Sequence, residues 1–130
     1  MNIPNDLKYT KSDEWIRVEG TRASMGITDY AQSQLSDIVY VDVFVKTGET
    51  LAKGKPVASV ESVKAASEVY LPAGGTVEAV NAALGNTPES ANKDPYGEGW
   101  MVKFTLADPA ELESLMNAKD YEAYCAGRGH

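Results

Sequence analysis

Residues 60–69 read Val-Glu-Ser-Val-Lys-Ala-Ala-Ser-Glu-Val, and this is the most informative segment of the chain. Strand-like residues at both ends flank small residues, which predicts two strands joined by a tight turn. Lys64 therefore falls at or next to the turn of a β-hairpin and points into solvent. An exposed lysine is almost wholly protonated at neutral pH, so it is neither a base nor a nucleophile. It can instead be a substrate to which another enzyme attaches a group. On spacing alone, an ordinary solvated turn lysine is the alternative.

The surrounding chain has the alternating strand and turn patterns that are typical of a β protein. Apolar alternation and turn residues predict a hairpin over about 16–27 and strands at 56–62, 68–71 and 76–80. Residues 38–45 are β-branched or aromatic nearly throughout, which predicts a strand that is covered on both faces in the middle of a sheet. Strands spaced this closely are typical of a sandwich or a flattened barrel.

Short helices are predicted beside these strands. Thr28 stands at the N-cap position of a helix over 29–35. Asp108 is predicted to cap another helix, in which Pro109 takes the first position and Glu111 completes a spacing similar to a capping box.

The rest of the C-terminal half gives weaker signals. Residues 84–99 contain several glycines and prolines and few apolar residues, which predicts a long loop. Asp120 is predicted to cap a last short helix that Gly127 ends. We therefore expect one domain over residues 1–130, with a core over about 7–107 and a helical extension over about 108–126.

Composition excludes several classes of function. The chain has 130 residues, with 12 Lys and Arg against 19 Asp and Glu, for a formal charge of −7. This length buries a sizeable core without a disulfide or a structural metal. The negative charge repels phosphate backbones, so we expect no nucleic-acid binding. No stretch approaches the roughly 20 apolar residues that span a bilayer, so we expect no membrane insertion.

The inventory of reactive side chains is equally restrictive. His130 is the only histidine and Cys125 the only cysteine. These two residues cannot form a nucleophile pair with an orienting group, nor a structural zinc site or a three-histidine catalytic one. We predict no metal site, and Cys125 is interpreted as a half-buried small hydrophobic residue. Trp15 and Trp100 are predicted to be core residues.

The N-terminus carries no recognisable targeting signal. Residues 1–6 lack the basic start and apolar core of a signal peptide and are not rich in arginine like a transit peptide. The chain is therefore predicted to be cytoplasmic. A mature organellar protein that has lost its presequence would look the same, so that alternative stays open.

The segment around Lys64 resembles the lipoylation hairpin of the glycine cleavage system H-protein family. The resemblance rests on residues 61–65, which follow Gly-Lys-Pro at 54–56 and precede Tyr-Leu-Pro-Ala-Gly-Gly at 70–75. Further blocks resemble the family in its order and spacing between about Leu7 and Tyr124. They are Lys8-Tyr9-Thr10 with Glu14-Trp15, residues 26–32, Leu35 with Asp37-Ile38-Val39, and residues 92–100.

This resemblance implies a fold and an attachment site. The fold is mainly β, a lipoyl/biotinyl-type hybrid-motif sandwich, or flattened barrel, of two antiparallel sheets. Lys64 would carry an amide-linked lipoyl group, and the residues by which an attaching enzyme recognises the hairpin would be Glu61, Ser62, Val63 and Ala65.

The resemblance also implies a role and partners. The family is a non-catalytic carrier that takes an aminomethyl group from the pyridoxal-phosphate glycine decarboxylase to the tetrahydrofolate-dependent aminomethyltransferase. Dihydrolipoamide dehydrogenase, an FAD enzyme, reoxidises the arm, and a lipoate-attaching enzyme installs it. By analogy, Ser12, Glu14 and Glu68 are the candidate pocket for the aminomethyl arm. Two departures lie nearby, since Asp13 stands where the family often has His and Glu68 where Asp is common.

Three alternatives stay open on the sequence. One is another carrier, either a biotinyl domain, which usually flanks its lysine with Met, or a 2-oxoacid dehydrogenase lipoyl domain, which usually has Asp before it. The second is an H-like protein that relays lipoyl groups to other lipoate-dependent enzymes. The third is an enzyme that uses Glu61 and Glu68 for acid/base work, although a hairpin tip in water does not raise a carboxyl pKa by burial.

Overall fold

A computed structural model describes residues 1–128, so His130 lies outside the described residues. Nine strands follow the order of the chain: β1 Lys8–Tyr9, β2 Glu14–Glu19, β3 Arg22–Ile27, β4 Ile38–Val43, β5 Thr50–Leu51, β6 Pro56–Ser62, β7 Ala66–Tyr70, β8 Gly75–Val80 and β9 Val102–Leu106. The α-helices are α1 Asp29–Leu35, α2 Ser90–Lys93 and α3 Ala118–Arg128, and 3-10 helices lie at Ala82–Gly85 and Pro109–Ser114.

The strands form two antiparallel sheets. The larger sheet has the order β1-β2-β3-β9-β8-β5, and the smaller has the order β4-β6-β7. Buried side chains of both sheets form one hydrophobic core, with Met25 and Phe104 from the larger sheet and Val41, Val60 and Val69 from the smaller. The predicted mainly β sandwich of two antiparallel sheets is thus confirmed, and the sheets do not close into a barrel.

A second, aromatic cluster joins α3 to the edge of the larger sheet. The rings of Tyr9 on β1 and Tyr121 on α3 stack with centroids 4.6 Å apart, and both side chains are fully buried beside Trp15. Cys125 is buried in the same cluster, whereas Trp100 is only partly buried at its margin. Apolar residues on one face of α3 therefore fasten the C-terminal helix to the strands that carry residues 8–19.

The structure corrects the expectation for residues 38–45. β4 is an edge strand of the smaller sheet, and one of its faces is open to solvent at Val39 and Tyr40. A register shift between Ile38 and Tyr40 breaks the alternation of buried and exposed side chains. A run of β-branched residues predicts a strand, but it does not say how many neighbours the strand has.

The expectation of a loop over residues 84–99 was wrong in part. This segment contains α2, and a 3-10 helix ends within it at Gly85. Leu84, Ala91 and Tyr96 are buried. Few apolar residues are needed here because the short helices lie against a core that the sheets already supply.

Four details of the C-terminal helices also differ. Asp108 does cap a helix, since its carboxylate accepts from the Ala110 amide, but that helix is 3-10. Glu111 does not complete a capping box, because its carboxylate accepts from the Gly74 amide at 2.8 Å. At α3, the Asn117 side chain rather than Asp120 accepts the helical amide, and the helix continues through residue 127 to Arg128. No helix within the described range has the length and apolar composition to cross a bilayer.

Candidate functional site

Lys64 lies at the tip of the β6–β7 hairpin, as the sequence predicts. The ladder closes with the Ser62 amide donating to the Ala65 carbonyl at 2.7 Å, so the loop between them has two residues, Val63 and Lys64. Ser62 Oγ accepts from the Ala65 amide at 3.0 Å and from the Lys64 amide at 3.3 Å. The hydroxyl therefore fixes the backbone of the turn, while the Lys64 side chain is exposed.

The neighbouring residues of the hairpin take different positions. Glu61, Val63 and Ala65 are exposed around Lys64, where another protein can reach them. The Val63 amide also donates to the Asp37 carbonyl at 3.0 Å, which ties the turn to the chain that enters β4. The Lys64 ammonium takes part in neither of the two ion pairs found among residues 1–128.

A groove of about 290 Å³ runs beside this hairpin. It brings together all three residues of the predicted arm pocket, Ser12, Glu14 and Glu68, although they come from distant parts of the chain. β7 supplies Glu68, the start of β2 supplies Glu14, and the loop before β2 supplies Ser12. The other lining residues are Asp13, Ile27, Tyr30, Ala31, Gln34, Leu35, Val60, Ser67, Val69 and Arg128.

Glu14 is a buried carboxylate on the wall of the groove. Its side chain is only 1% exposed, and Oε1 accepts hydrogen bonds from the hydroxyls of Thr10 and Ser12, the latter at 2.7 Å. Oε2 accepts from the Tyr70 amide at 3.2 Å. The carboxylate is therefore held in one orientation by three donors, two from the loop between β1 and β2 and one from β7.

The environment of Glu14 changes its acidity. Burial raises the pKa of Glu14 above the ordinary value of 4.5, and the hydrogen bonds from Thr10, Ser12 and the Tyr70 amide partly oppose that shift. Asp13 raises the pKa further through repulsion between the two carboxylates. A cation placed beside Glu14 would relieve the cost of burying this charge, because buried charges are stabilised by an opposite charge.

Glu68 and Glu61 do not form a pair of catalytic carboxylates. Glu68 lies opposite Ser59 and Glu61 opposite Ala66, so two residue steps separate them along the ladder. Both side chains are exposed, and only Glu68 lines the groove. The hairpin does not provide the burial that a carboxyl group needs to act as a general acid near neutral pH.

Asp13, Tyr30 and Arg128 also line the groove, and reasoning from the sequence missed them. Asp13, at φ +74°, binds the Arg128 guanidinium through both carboxylate oxygens at 2.6 and 2.8 Å. The guanidinium lies over the rings of Tyr30 and Tyr124, at 4.3 and 4.6 Å from their centroids. The only sequence signal for Asp13 was its departure from the family pattern, and nothing in the spacing connects it with a residue 115 positions away.

The charges of the groove follow from these contacts. Because Asp13 and Arg128 offset each other, the carboxylates of Glu14 and Glu68 give the groove a negative character. Ile27, Leu35, Val60 and Val69 supply an apolar side. Within residues 1–128, no group of three or more His, Cys, Asp or Glu side chains is placed to hold a metal ion. The groove is thus suited to a ligand with an apolar stem and a cationic end.

Known proteins resemble this chain over nearly its whole length. The sequence pattern of the family described as Glycine cleavage H-protein matches residues 7–128. A glycine cleavage system H protein of Opitutus terrae is 56% identical over 122 residues, which cover 92% of this chain and 94% of that protein. One from Nitratidesulfovibrio vulgaris is 52% identical over 130 residues and all of both chains.

A solved structure agrees with these sequence matches. The crystal structure of a glycine cleavage system H protein from Mycobacterium marinum superposes with a TM-score of 0.84 at 32% identity. It covers 98% of this chain, and all of that chain is matched. The sequence pattern, the full-length relatives and the sandwich architecture agree, and the chain belongs to the glycine cleavage H-protein family.

Proposed function

We propose that this chain is a lipoyl carrier of glycine cleavage, with lipoate amide-linked to Lys64. In this role it passes an aminomethyl group from glycine decarboxylase to aminomethyltransferase, and dihydrolipoamide dehydrogenase reoxidises the arm. One observation carries the proposal: a single hairpin presents an exposed lysine at its tip and, through β7, forms a wall of a groove that holds a buried carboxylate.

The turn fits the attachment of lipoate. The Lys64 amine, once deprotonated in the attaching enzyme, attacks the carbonyl carbon of lipoyl adenylate. An amide bond forms, AMP leaves, and the amine gives up its proton. Ser62 fixes the backbone on both sides of this amine, and Glu61, Val63 and Ala65 are exposed for recognition by the attaching enzyme.

The groove fits a cationic cargo at the end of the arm. When bound, the lipoyl group supplies a redox-active dithiol on a long flexible stem. Glu14 accepts hydrogen bonds and carries a negative charge at the wall of the groove, so it can bind a primary ammonium through a charge-assisted hydrogen bond. Ser12 lies 2.7 Å from Glu14 and orients it, and Glu68 adds a second carboxylate at the more exposed side.

The chain's own contribution is to present and to shield. We assign the chemical steps to the partner enzymes and a non-catalytic carrier role to this chain, in which Ser12 and Glu14 form a binding pair on the wall of the groove. A tethered arm raises the effective concentration of its reactive end in each partner's active site. We expect the whole chain to act as one carrier unit, and its cytoplasmic location stays a prediction.

The alternative is an H-like protein that relays lipoyl groups to other lipoate-dependent enzymes. The same hairpin serves both roles. The groove favours glycine cleavage, because a relay carries a neutral lipoyl group and has no need for a buried carboxylate beside its arm.

Intact-mass measurement tests the attachment. We expect the protein made with lipoate available to gain the mass of one lipoyl group, and Lys64→Arg to abolish this gain. Lys55→Arg, an exposed lysine at the base of the same hairpin, is the matched control and should be modified like the parent. The proposal would be refuted if the parent protein did not gain the mass of a lipoyl group, or if the Lys64→Arg variant still gained it.

A further inference from the structure

The free edge of β4 adjoins the turn that carries Lys64. β4 pairs with β6 on one side and with no strand of residues 1–128 on the other, where the 3-10 helix Ala82–Gly85 packs against it and the Ile38 amide donates to Asn92 Oδ1 at 2.8 Å. Tyr40 lies opposite Glu61, three positions before Lys64. The amide of Val63 is bonded to the Asp37 carbonyl, just before β4 begins. Edge and turn therefore form one continuous surface.

Three large apolar side chains stand on this surface. Val39 is 55% exposed, Tyr40 is 48% exposed and Val63 is 67% exposed. The register shift between Ile38 and Tyr40 places two consecutive residues in solvent where regular alternation would bury one of them. We call these three residues the β4 patch. A cluster of exposed apolar side chains on a free sheet edge is a common feature of protein interaction sites.

Carboxylates surround the β4 patch. Asp37 and Asp42 are exposed before and after it on the chain, and Glu61 is exposed opposite Tyr40. None of the three belongs to the ion pairs of residues 1–128, which join Arg22 to Glu78 and Arg128 to Asp13. A complementary partner therefore presents an apolar surface that is surrounded by Lys or Arg side chains.

The position of the patch selects among the partners. An enzyme that uses the finished arm acts on the dithiol at the far end of a flexible stem, so it does not need to cover the residues beside Lys64. An enzyme that acylates Lys64 must take the lysine amine itself into its active site, and its surface then covers the residues around that lysine. The β4 patch includes Val63, which directly precedes Lys64 in the turn.

We propose that the β4 patch is the docking surface for the lipoate-attaching enzyme, and that this enzyme binds it with an apolar surface surrounded by basic side chains. Recognition then extends beyond the hairpin, to Val39 and Tyr40, which are more than 20 positions away from Lys64 in the sequence. This inference rests on the proposed lipoylation of Lys64 and identifies the surface on which that reaction depends.

Steady-state lipoylation of the apo protein by a purified lipoate ligase, with lipoate and ATP, tests the inference. Product is followed by intact mass. For the double variant Val39→Ser/Tyr40→Ser we expect KM for the protein to rise about tenfold or more, with kcat unchanged, because docking is weakened while the chemistry at Lys64 is not. Val18→Ser, an exposed apolar residue on β2 of the other sheet, is the matched control and should keep the parent's KM.

The charge around the patch gives a second and independent readout. We expect added NaCl to raise the parent's KM severalfold and to have less effect on Asp37→Asn/Asp42→Asn, because screening weakens only the charges that are present. Circular dichroism confirms that each variant is folded.

Two results would overturn the inference. One is a double variant with the parent's KM for the ligase, including the case in which that variant, once lipoylated, loses affinity for glycine decarboxylase. The other is an unchanged salt dependence in the charge variant. Failure of the parent itself to be lipoylated would instead refute the proposed function.

Discussion

At the scale of single residues, Glu14 carries the most specific part of the account. It is a carboxylate at 1% exposure, yet each of its oxygens has a hydrogen-bond donor. Thr10, Ser12 and the Tyr70 amide hold it in place before any ligand arrives, so a bound cation gains the interaction without ordering the site. This preorganisation is the reason that we propose Glu14, and not one of the many solvated acids of the chain, as the carboxylate that binds the cation.

Glu14→Gln should therefore speed loss of the aminomethyl group from the isolated, loaded carrier, by about tenfold at neutral pH if one charge-assisted hydrogen bond is lost. The ratio of the variant's rate to the parent's should fall toward one as pH falls through the Glu14 pKa, because the protonated carboxyl no longer attracts a cation. Since burial raises that pKa, the change should be centred above the ordinary value of 4.5.

Intact mass over time measures the loss of the aminomethyl group. Glu122→Gln, which alters an exposed acid on α3, is the control and should retain the cargo like the parent. A loss rate that does not change in Glu14→Gln would remove Glu14 from the pocket.

Only some of the residues of the hairpin and the groove could be predicted from the sequence. Lys64 follows from the hairpin pattern, and Ser12, Glu14 and Glu68 follow from the resemblance to a family. The burial of Glu14 could not be predicted, because it involves β7, whose Tyr70 amide reaches the carboxylate from 56 positions away in the sequence. The ion pair between Asp13 and Arg128 was missed for the same reason.

At the scale of elements, α3 links the aromatic cluster to the groove. Tyr121 is fully buried and stacks on Tyr9, and its hydroxyl donates to Asp13 at 2.8 Å and lies 2.7 Å from the Thr28 hydroxyl. The last residue of the helix, Arg128, then reaches the groove. The helix therefore holds both the N-cap of α1 and the carboxylate that offsets Arg128.

Tyr121→Ala should reduce the free energy of unfolding by about 3–5 kcal/mol, because it leaves a cavity under α3 and removes a buried hydrogen bond. Tyr124→Ala is the matched control, since Tyr124 is a partly exposed tyrosine on the same helix. It should lower the free energy of unfolding by about 1 kcal/mol. Urea unfolding followed by fluorescence measures both values, and equal losses in the two variants would contradict this role of α3.

The helices and strands were easier to predict from the sequence than the elements that pair with them or pack against them. The hairpins, α1 and the capped helix at Asp108 follow from local patterns that need no tertiary contact. The edge position of β4 does not, because a β-branched run reads the same in the middle of a sheet and at its border. Likewise, Asn117 and Asp120 are both good capping residues, and only the path of the chain decides between them.

At the scale of the whole molecule, the poverty in reactive side chains and the negative charge have one explanation. In the proposed carrier role, the reactive group is imported onto Lys64, and the protein's own residues position and shield it. Acylation of Lys64 removes a positive charge and changes the formal charge from −7 to −8. We expect partner proteins to bind this acidic chain through basic patches, so their affinity for it should fall as salt is added.

The most direct test of the carrier role is exchange of the glycine carboxyl carbon with labelled bicarbonate. The lipoylated protein is combined with purified glycine decarboxylase, and incorporation of label into glycine is measured. We predict exchange that rises with the concentration of lipoylated carrier and is absent with Lys64→Arg. A fully lipoylated protein that supports no exchange would contradict the account and would favour the relay of lipoyl groups instead.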